Sequence, residues 1–193
     1  MEYKLKSGNT LIVEQEEFYI NDNPREWDNL SKMVFFGKHK GLGDNHNITL
    51  DVSFDSRHDF MERGAELIRK ELDAAIVKPV HLYEHSGMSI STNYSYPYDC
   101  RWDSGTIGFA VVTKEAIRKE YGVKRITKSL IEKANSVLDG EVKLLDQYIR
   151  GEIYRYRVIN PEGDEIDSCG SYFGHDITEN GILDNINDEL AEK

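Results

Sequence analysis

From Leu130 to Ile149 the chain holds one apolar stripe at helical spacing, made of Leu130, Ile131, Ala134, Val137, Leu138, Val142, Leu145 and Ile149. It predicts a long helix from Thr127 to Arg150, with Gly151 as its stop. Gly140 lies on the polar side of the stripe and marks a kink or a break into two helices. A stripe of this length must be covered by a broad apolar surface. The expected cover is a sheet containing Phe109 and Val111, because Thr106 to Val112 reads as a strongly apolar strand. Leu130, Ala134, Leu138, Leu145 and Ile149 are expected to pack on it.

The remaining elements come in clusters. Leu11-Ile12-Val13, Phe18-Tyr19-Ile20 and Lys32-Met33-Val34-Phe35-Phe36 read as short strands, with turn chemistry at Asn21-Asp22-Asn23-Pro24-Arg25. Asp55-Ser56 caps a predicted helix running to about Ala75, whose apolar residues are Phe60, Ala65, Ile68, Leu72 and Ala75. Ile76 to Tyr83 reads as a strand broken or edged by Pro79. Thr113 caps a short helix that Gly122 ends. Ile153 to Ile159 alternates with period two, turns at Asn160-Pro161-Glu162-Gly163-Asp164 and returns from Glu165 to Cys169 as a hairpin. Ile182 to Leu190 has helical spacing and a weak apolar face. Clustered rather than alternating strands and helices predict an α+β fold: a mostly antiparallel sheet packed by one long and two or three shorter helices. Only four prolines occur and no repeat or linker composition interrupts the chain, so residues 1–193 are expected to form one domain with an acidic tail from about residue 175.

With 39% hydrophobic and 31% charged residues the chain belongs to the globular class. No apolar run is long enough to predict a membrane span, and the first residues lack the layout of a signal peptide. Two cysteines, Cys100 and Cys169, predict a reduced, cytosolic setting. The net charge of −11 is uneven. Residues 1–30 sum to −4, residues 31–80 to 0, residues 81–140 to +1 and residues 141–193 to −8. That concentration would repel nucleic acid and attract a basic partner, or else keep the surface solvated. Neither direct nucleic-acid binding nor a membrane partner is expected.

His81-Leu82-Tyr83-Glu84-His85 fits the H-x-x-E-H pattern of some zinc peptidases. That chemistry needs a helix, so that both imidazoles meet one metal while the glutamate polarises its water. Pro79 before the motif, Ser86-Gly87 after it and β-forming flanks predict an extended segment, on which Glu84 faces away from the histidines. A looser set, His39, Asp44, His46, His81, His85 and Cys100, shows no ligand spacing. Gly37-Lys38-His39-Lys40-Gly41-Leu42-Gly43-Asp44 lacks the spacing of a phosphate loop. Ser104 has no nucleophile elbow around it, and Cys100 reads as a small neutral thiol. No catalytic residue, metal or cofactor is assigned. A metal-dependent hydrolase or nuclease using His81 and His85 is the alternative reading.

The most distinctive stretch is Asn93 to Asp103, where Tyr94, Tyr96 and Tyr98 alternate and Trp102 and Asp103 follow. Such rings give large amphipathic contact area at small entropic cost. They fit a partner-binding loop or one face of an irregular buried strand. The hairpin turn adds a cluster of carboxylates, Glu162, Asp164, Glu165 and Asp167, as candidate contacts for a basic partner.

Three segments together carry a resemblance: Asn23 to Leu30, His81 to Gly87, and Cys100 to Gly105 with the helix Lys114 to Tyr121. Over roughly Leu11 to Gly174 the chain resembles an uncharacterised family of proteins borne by phages and mobile elements of Gram-positive bacteria. The resemblance implies an accessory gene product in the bacterial host cytoplasm. By analogy with small acidic proteins of that setting, it implies an anti-defence inhibitor of the anti-CRISPR or antirestriction type. The expectation is a non-enzymatic protein that binds the basic nucleic-acid-binding surface of a host CRISPR or restriction nuclease.

Overall fold

The computed structural model describes residues 1–17, 23–50, 52–186 and 188–191. The fold is α+β, with two four-stranded antiparallel sheets. Its residues gather into two compact units, Met1–Asn23 with Gln147–Lys193, and Pro24–Asp146. The second division falls inside a continuous helix, so there was no linker composition to read. The expected strand Phe18-Tyr19-Ile20 lies outside the described residues, as does the start of the turn after it. Among the described residues no helix is long and apolar enough to cross a membrane.

The first unit has strand order β1 (Glu2–Lys4), β2 (Thr10–Gln15), β7 (Ile153–Ile159), β8 (Glu165–Phe173). Period-two alternation sets its core. Leu11 and Val13 pair with Val158 and Tyr156, and all four are buried with Tyr172, Ile177, Ile182 and Ile186. On the opposite face Glu14 accepts from Arg155 at 2.7 Å and Arg157 at 3.2 Å. The predicted hairpin is present, its turn closed by the Asn160 side-chain oxygen on the Asp164 N–H at 2.7 Å. The tail forms only a short helix, Ile182–Asn185, before Leu190 bridges to Leu5.

The second unit has strand order β3 (Lys32–Phe35), β6 (Ser104–Thr113), β4 (Ala74–Glu84), β5 (Met88–Ser91). Ile107 to Val112 in β6 are buried on both faces. Pro79 is tolerated because β5 pairs only with His81 to Glu84, which leaves β4 a single neighbour at the proline. The predicted first helix is interrupted. Ser56 caps it at Arg57–Asp59, a π turn spans Phe60–Gly64, and a second helical segment runs Ala65–Glu71. The π turn absorbs the five-residue step between Phe60 and Ala65, which 3.6-residue spacing cannot accommodate on one face. Ala75 is a strand residue, not a helical one, because Asp73 turns at φ 45° and β4 begins at Ala74. The helix Lys114–Tyr121 matches its signals, capped by Thr113 and ended at Gly122 in the left-handed region at φ 62°.

The long helix Lys128–Ile149 is unbroken at Gly140, and Gly151 follows it at φ 67°. Ala134, Leu138, Val142 and Leu145 are buried, whereas Val137 is exposed and Leu130 and Ile149 are only half-buried. The helix does not lie on Phe109 and Val111. Alternation sends those two to the other face, where they pack with Val34, Ile68 and Val77. The long helix is tied instead to the face of Ala110 and Ile76, through Asp139 and Lys78 at 2.8 Å, and to β5 through Asp146, which accepts the Ile90 N–H at 2.7 Å.

One buried charge network fastens this unit. Arg25 reaches both Asp44 carboxylate oxygens, at 3.0 and 2.7 Å, and the Ser31 carbonyl at 2.7 Å. Asp44 also accepts the Met33 N–H at 2.7 Å. Glu141, 3.7 Å from Arg25, accepts the backbone N–H groups of Leu30 at 2.7 Å and Ser31 at 2.9 Å.

Three substitutions check this packing by urea titration. Leu138→Ala should cost about 2–5 kcal/mol, the range for a buried leucine. A Cβ on Gly64 would lie 2.8 Å from the Phe109 ring, whereas one on Gly140 meets open space. Gly64→Ala should therefore destabilise by about 1–3 kcal/mol, and Gly140→Ala should stabilise by about 0.5–1 kcal/mol. The same sign for both glycines would contradict the packing described.

Candidate functional site

Three of the sequence candidates converge at one end of the second sheet. β4 ends there, β6 begins there, and the antiparallel β3 exits there into the 3-10 turn Gly37–Leu42. Lys38 donates to Glu84 at 2.9 Å and His39 lies 3.7 Å from the same carboxylate. The Lys38 hydrogen bond, with the charges of Lys38 and His39, holds the Glu84 carboxyl below its ordinary range. His85 lies 3.7 Å from Asp103, whose carbonyl accepts the Glu84 N–H at 2.7 Å. The glycine-rich loop, the histidine motif and the aromatic segment are thus joined by the Lys38–Glu84 ion pair and by the Glu84 N–H on the Asp103 carbonyl.

The aromatic segment is a loop of turns, not a buried strand face. Tyr94 is 48% exposed, Tyr96 79% and Trp102 86%. Pro97 and the polar spacers deny the stretch a strand partner, and successive turns fill it, with Tyr98 N–H on the Ser95 carbonyl at 2.8 Å and Cys100 N–H on the Pro97 carbonyl at 3.1 Å. Its base is anchored. Tyr98 is half-buried and donates to Ser89 at 3.3 Å. Arg57 donates to the Ser104 hydroxyl at 3.3 Å and to its carbonyl, while that hydroxyl donates to the Cys100 carbonyl. Arg101 stacks over the Trp102 ring, 5.7 Å from its centroid. Two large rings therefore stand in solvent on a tethered loop. Their exposure forgoes roughly 1.5–3 kcal/mol of burial each.

His81 and His85 part company. His81 is fully buried, its Nδ1 3.1 Å from the Thr106 hydroxyl and its ring against Tyr94. Burial first, and the Arg57 charge second, push its pKa down to about 4. His85 is exposed. Asp44, from the looser metal set, is occupied by Arg25, and His46 bonds the Phe35 carbonyl at 2.7 Å. Among the described residues no three His, Cys, Asp or Glu side chains are gathered as a metal would need.

The acidic hairpin belongs to the first unit, and much of its charge has internal partners. Asp167 accepts from Tyr156 at 3.0 Å, Glu165 lies 3.6 Å from Arg157, and Asp164 accepts from the Asn160 amide at 3.4 Å. All four carboxylate residues are nonetheless exposed. Residues 24–146 carry 19 acidic and 18 basic side chains and the rest of the chain 16 and 6, so the excess negative charge lies in the first unit. Sequence reasoning missed the Arg25 network and the Arg57 anchor, because both join residues far apart in the chain.

No protein-family model matches the chain, and no curated protein or solved structure matches it.

The buried neutral His81 gives a pH signature. The unfolded histidine titrates near 6.5 and the folded one near 4, so between those values the unfolded state binds more protons. Its contribution is fully present above about pH 6.5 and is lost as pH falls towards 4. Acidification from pH 7 to pH 5 should cost about 2 kcal/mol through this residue. Urea titrations at both pH values should show that much less loss in His81→Gln. Equal losses in the two proteins would mean that His81 is not buried in its neutral form.

Proposed function

We propose that this protein is a non-enzymatic binding protein that grips a partner protein with Tyr96 and Trp102, and that it acts as an anti-defence inhibitor of a host nuclease. The observation that carries the reading is the exposure of two large aromatic rings on a loop held by Tyr98 and by Ser104 at its base. Aromatic side chains held in place cost little entropy on binding and become the dominant anchors of interfaces. The excess acidity of the first unit supports a partner with a basic surface, such as the nucleic-acid-binding face of a CRISPR or restriction nuclease. The resemblance to phage-borne proteins supports the bacterial host cytoplasm as the setting. Glu162, Asp164, Glu165 and Asp167 then act at long range and the aromatic loop at contact.

Surface-plasmon kinetics against the partner recovered by pull-down separates the two roles. Replacing the four carboxylates by amides should slow association, with the salt dependence reduced, and leave dissociation nearly unchanged. Tyr96→Ala or Trp102→Ala should speed dissociation by about 30-fold, the effect of a 2 kcal/mol anchor. Association indifferent to salt and to the four amides would leave the acidity as a solubility feature. Dissociation indifferent to both ring truncations would remove the loop from the interface.

A further inference from the structure

The chain's mean charge hides where its cations are. Arg69 and Lys70 end one helix, Lys114 and Arg118 lie on the next, and Lys124 and Arg125 lie in the connection to the long helix. All six wall one cleft of about 970 Å3 in the second unit, over a floor that includes Ala75 and Ile131. Its acidic side chains are Glu66 and Asp73, and Asp73 is taken by an ion pair with Lys114. Arg118 donates to the Lys124 carbonyl at 3.3 Å and so holds the connection against the cleft. Among the described residues Arg69, Lys70, Lys124 and Arg125 have no carboxylate within 4 Å.

Cations at helix C-termini are ordinary, because they offset the helix dipole. That explains Arg69, Lys70 and Arg118. It does not explain Lys124 and Arg125, which lie beyond the Gly122 stop. Four exposed, unpaired cations around one cleft raise the local positive potential and attract a polyanion. We propose that this cleft binds duplex nucleic acid through its phosphodiester backbone. The cleft shares Arg69, Ala75 and Ile131 with a second hollow of about 560 Å3, which is also lined by Glu132 and by Lys78, itself paired with Asp139, so the free cations gather in the first part. No aromatic ring lines either part, so the stacking that holds single-stranded bases is missing. What remains is phosphate recognition without base readout. The first turn of the long helix opens on the same cleft and adds its partial positive charge. The net charge argued against nucleic acid, but that charge resides in the other unit, and screening over about 8 Å makes the local cations decisive. This inference goes beyond the protein partner and does not depend on it.

The test is fluorescence anisotropy of the full chain with labelled duplex DNA and duplex RNA of about 20 base pairs, a length that spans several phosphate contacts. Four phosphate contacts should weaken binding about 50-fold between 50 and 150 mM salt. Arg69→Gln/Lys70→Gln and Lys124→Gln/Arg125→Gln should each lower the salt slope by about two. The control Lys32→Gln/Lys40→Gln should leave it unchanged, and circular dichroism should show all three folded. Binding of either duplex with that pattern supports the proposal and tells the two nucleic acids apart. Absence of duplex binding at 50 mM salt overturns it, as does equal sensitivity to the control pair. Tighter binding of polyglutamate or of a single strand than of either duplex also overturns it, the first result pointing to an acidic protein as ligand.

Discussion

The Arg25 guanidinium is the fastening on which the second unit depends. Its side chain is 5% exposed, and a buried charge of that kind costs several kcal/mol unless its partners compensate. Asp44 meets it with both oxygens, and Glu141 lies beside it while accepting two successive backbone N–H groups. Each carboxylate therefore does two jobs, neutralising the cation and satisfying backbone that no strand partner reaches. The result fixes where β3 starts, where the glycine-rich turn returns, and how the long helix is registered against both.

That registration shapes the end of the second sheet that carries the candidate site. With the long helix held by Glu141, its Asp139 and Asp146 meet Lys78 on β4 and the backbone of β5. The β4–β5 hairpin is thereby held, and the aromatic loop hangs between β5 and β6 with Tyr98, Ser104 and Arg57 at its base. His81, buried with its pKa pushed down to about 4, sits beneath Tyr94 and against the Thr106 hydroxyl. The sheet thus supports the loop on which the rings of Tyr96 and Trp102 stand exposed, the contact surface of the proposed reading.

Local signals were legible in the sequence. The stripe from Leu130, the Thr113 cap with the Gly122 stop, and the Asn160 hairpin turn each depend on neighbours within a few residues, and each lies close to the bounds the sequence predicts. Signals that depend on distant partners were not. The stripe did not tell which face of β6 it would meet, because alternation gives both faces apolar residues. The π turn was hidden by an otherwise regular helix pattern. Tyr94, Tyr96 and Tyr98 fit a strand or a loop equally until the structure set their exposure. The basic cleft was invisible because Arg69, Arg118 and Arg125 come from three elements, and summing charge along the chain averaged them away.

The central claim is that a preformed aromatic loop makes the contact with a partner protein. Photo-crosslinking tests it most directly, with benzoylphenylalanine placed at Tyr96 and, as the comparison, at Val137, an exposed position on the long helix. The account predicts a discrete protein adduct from position 96 that contains a host nuclease and is missing from position 137. Identical adducts from both positions, or none from position 96, would contradict it.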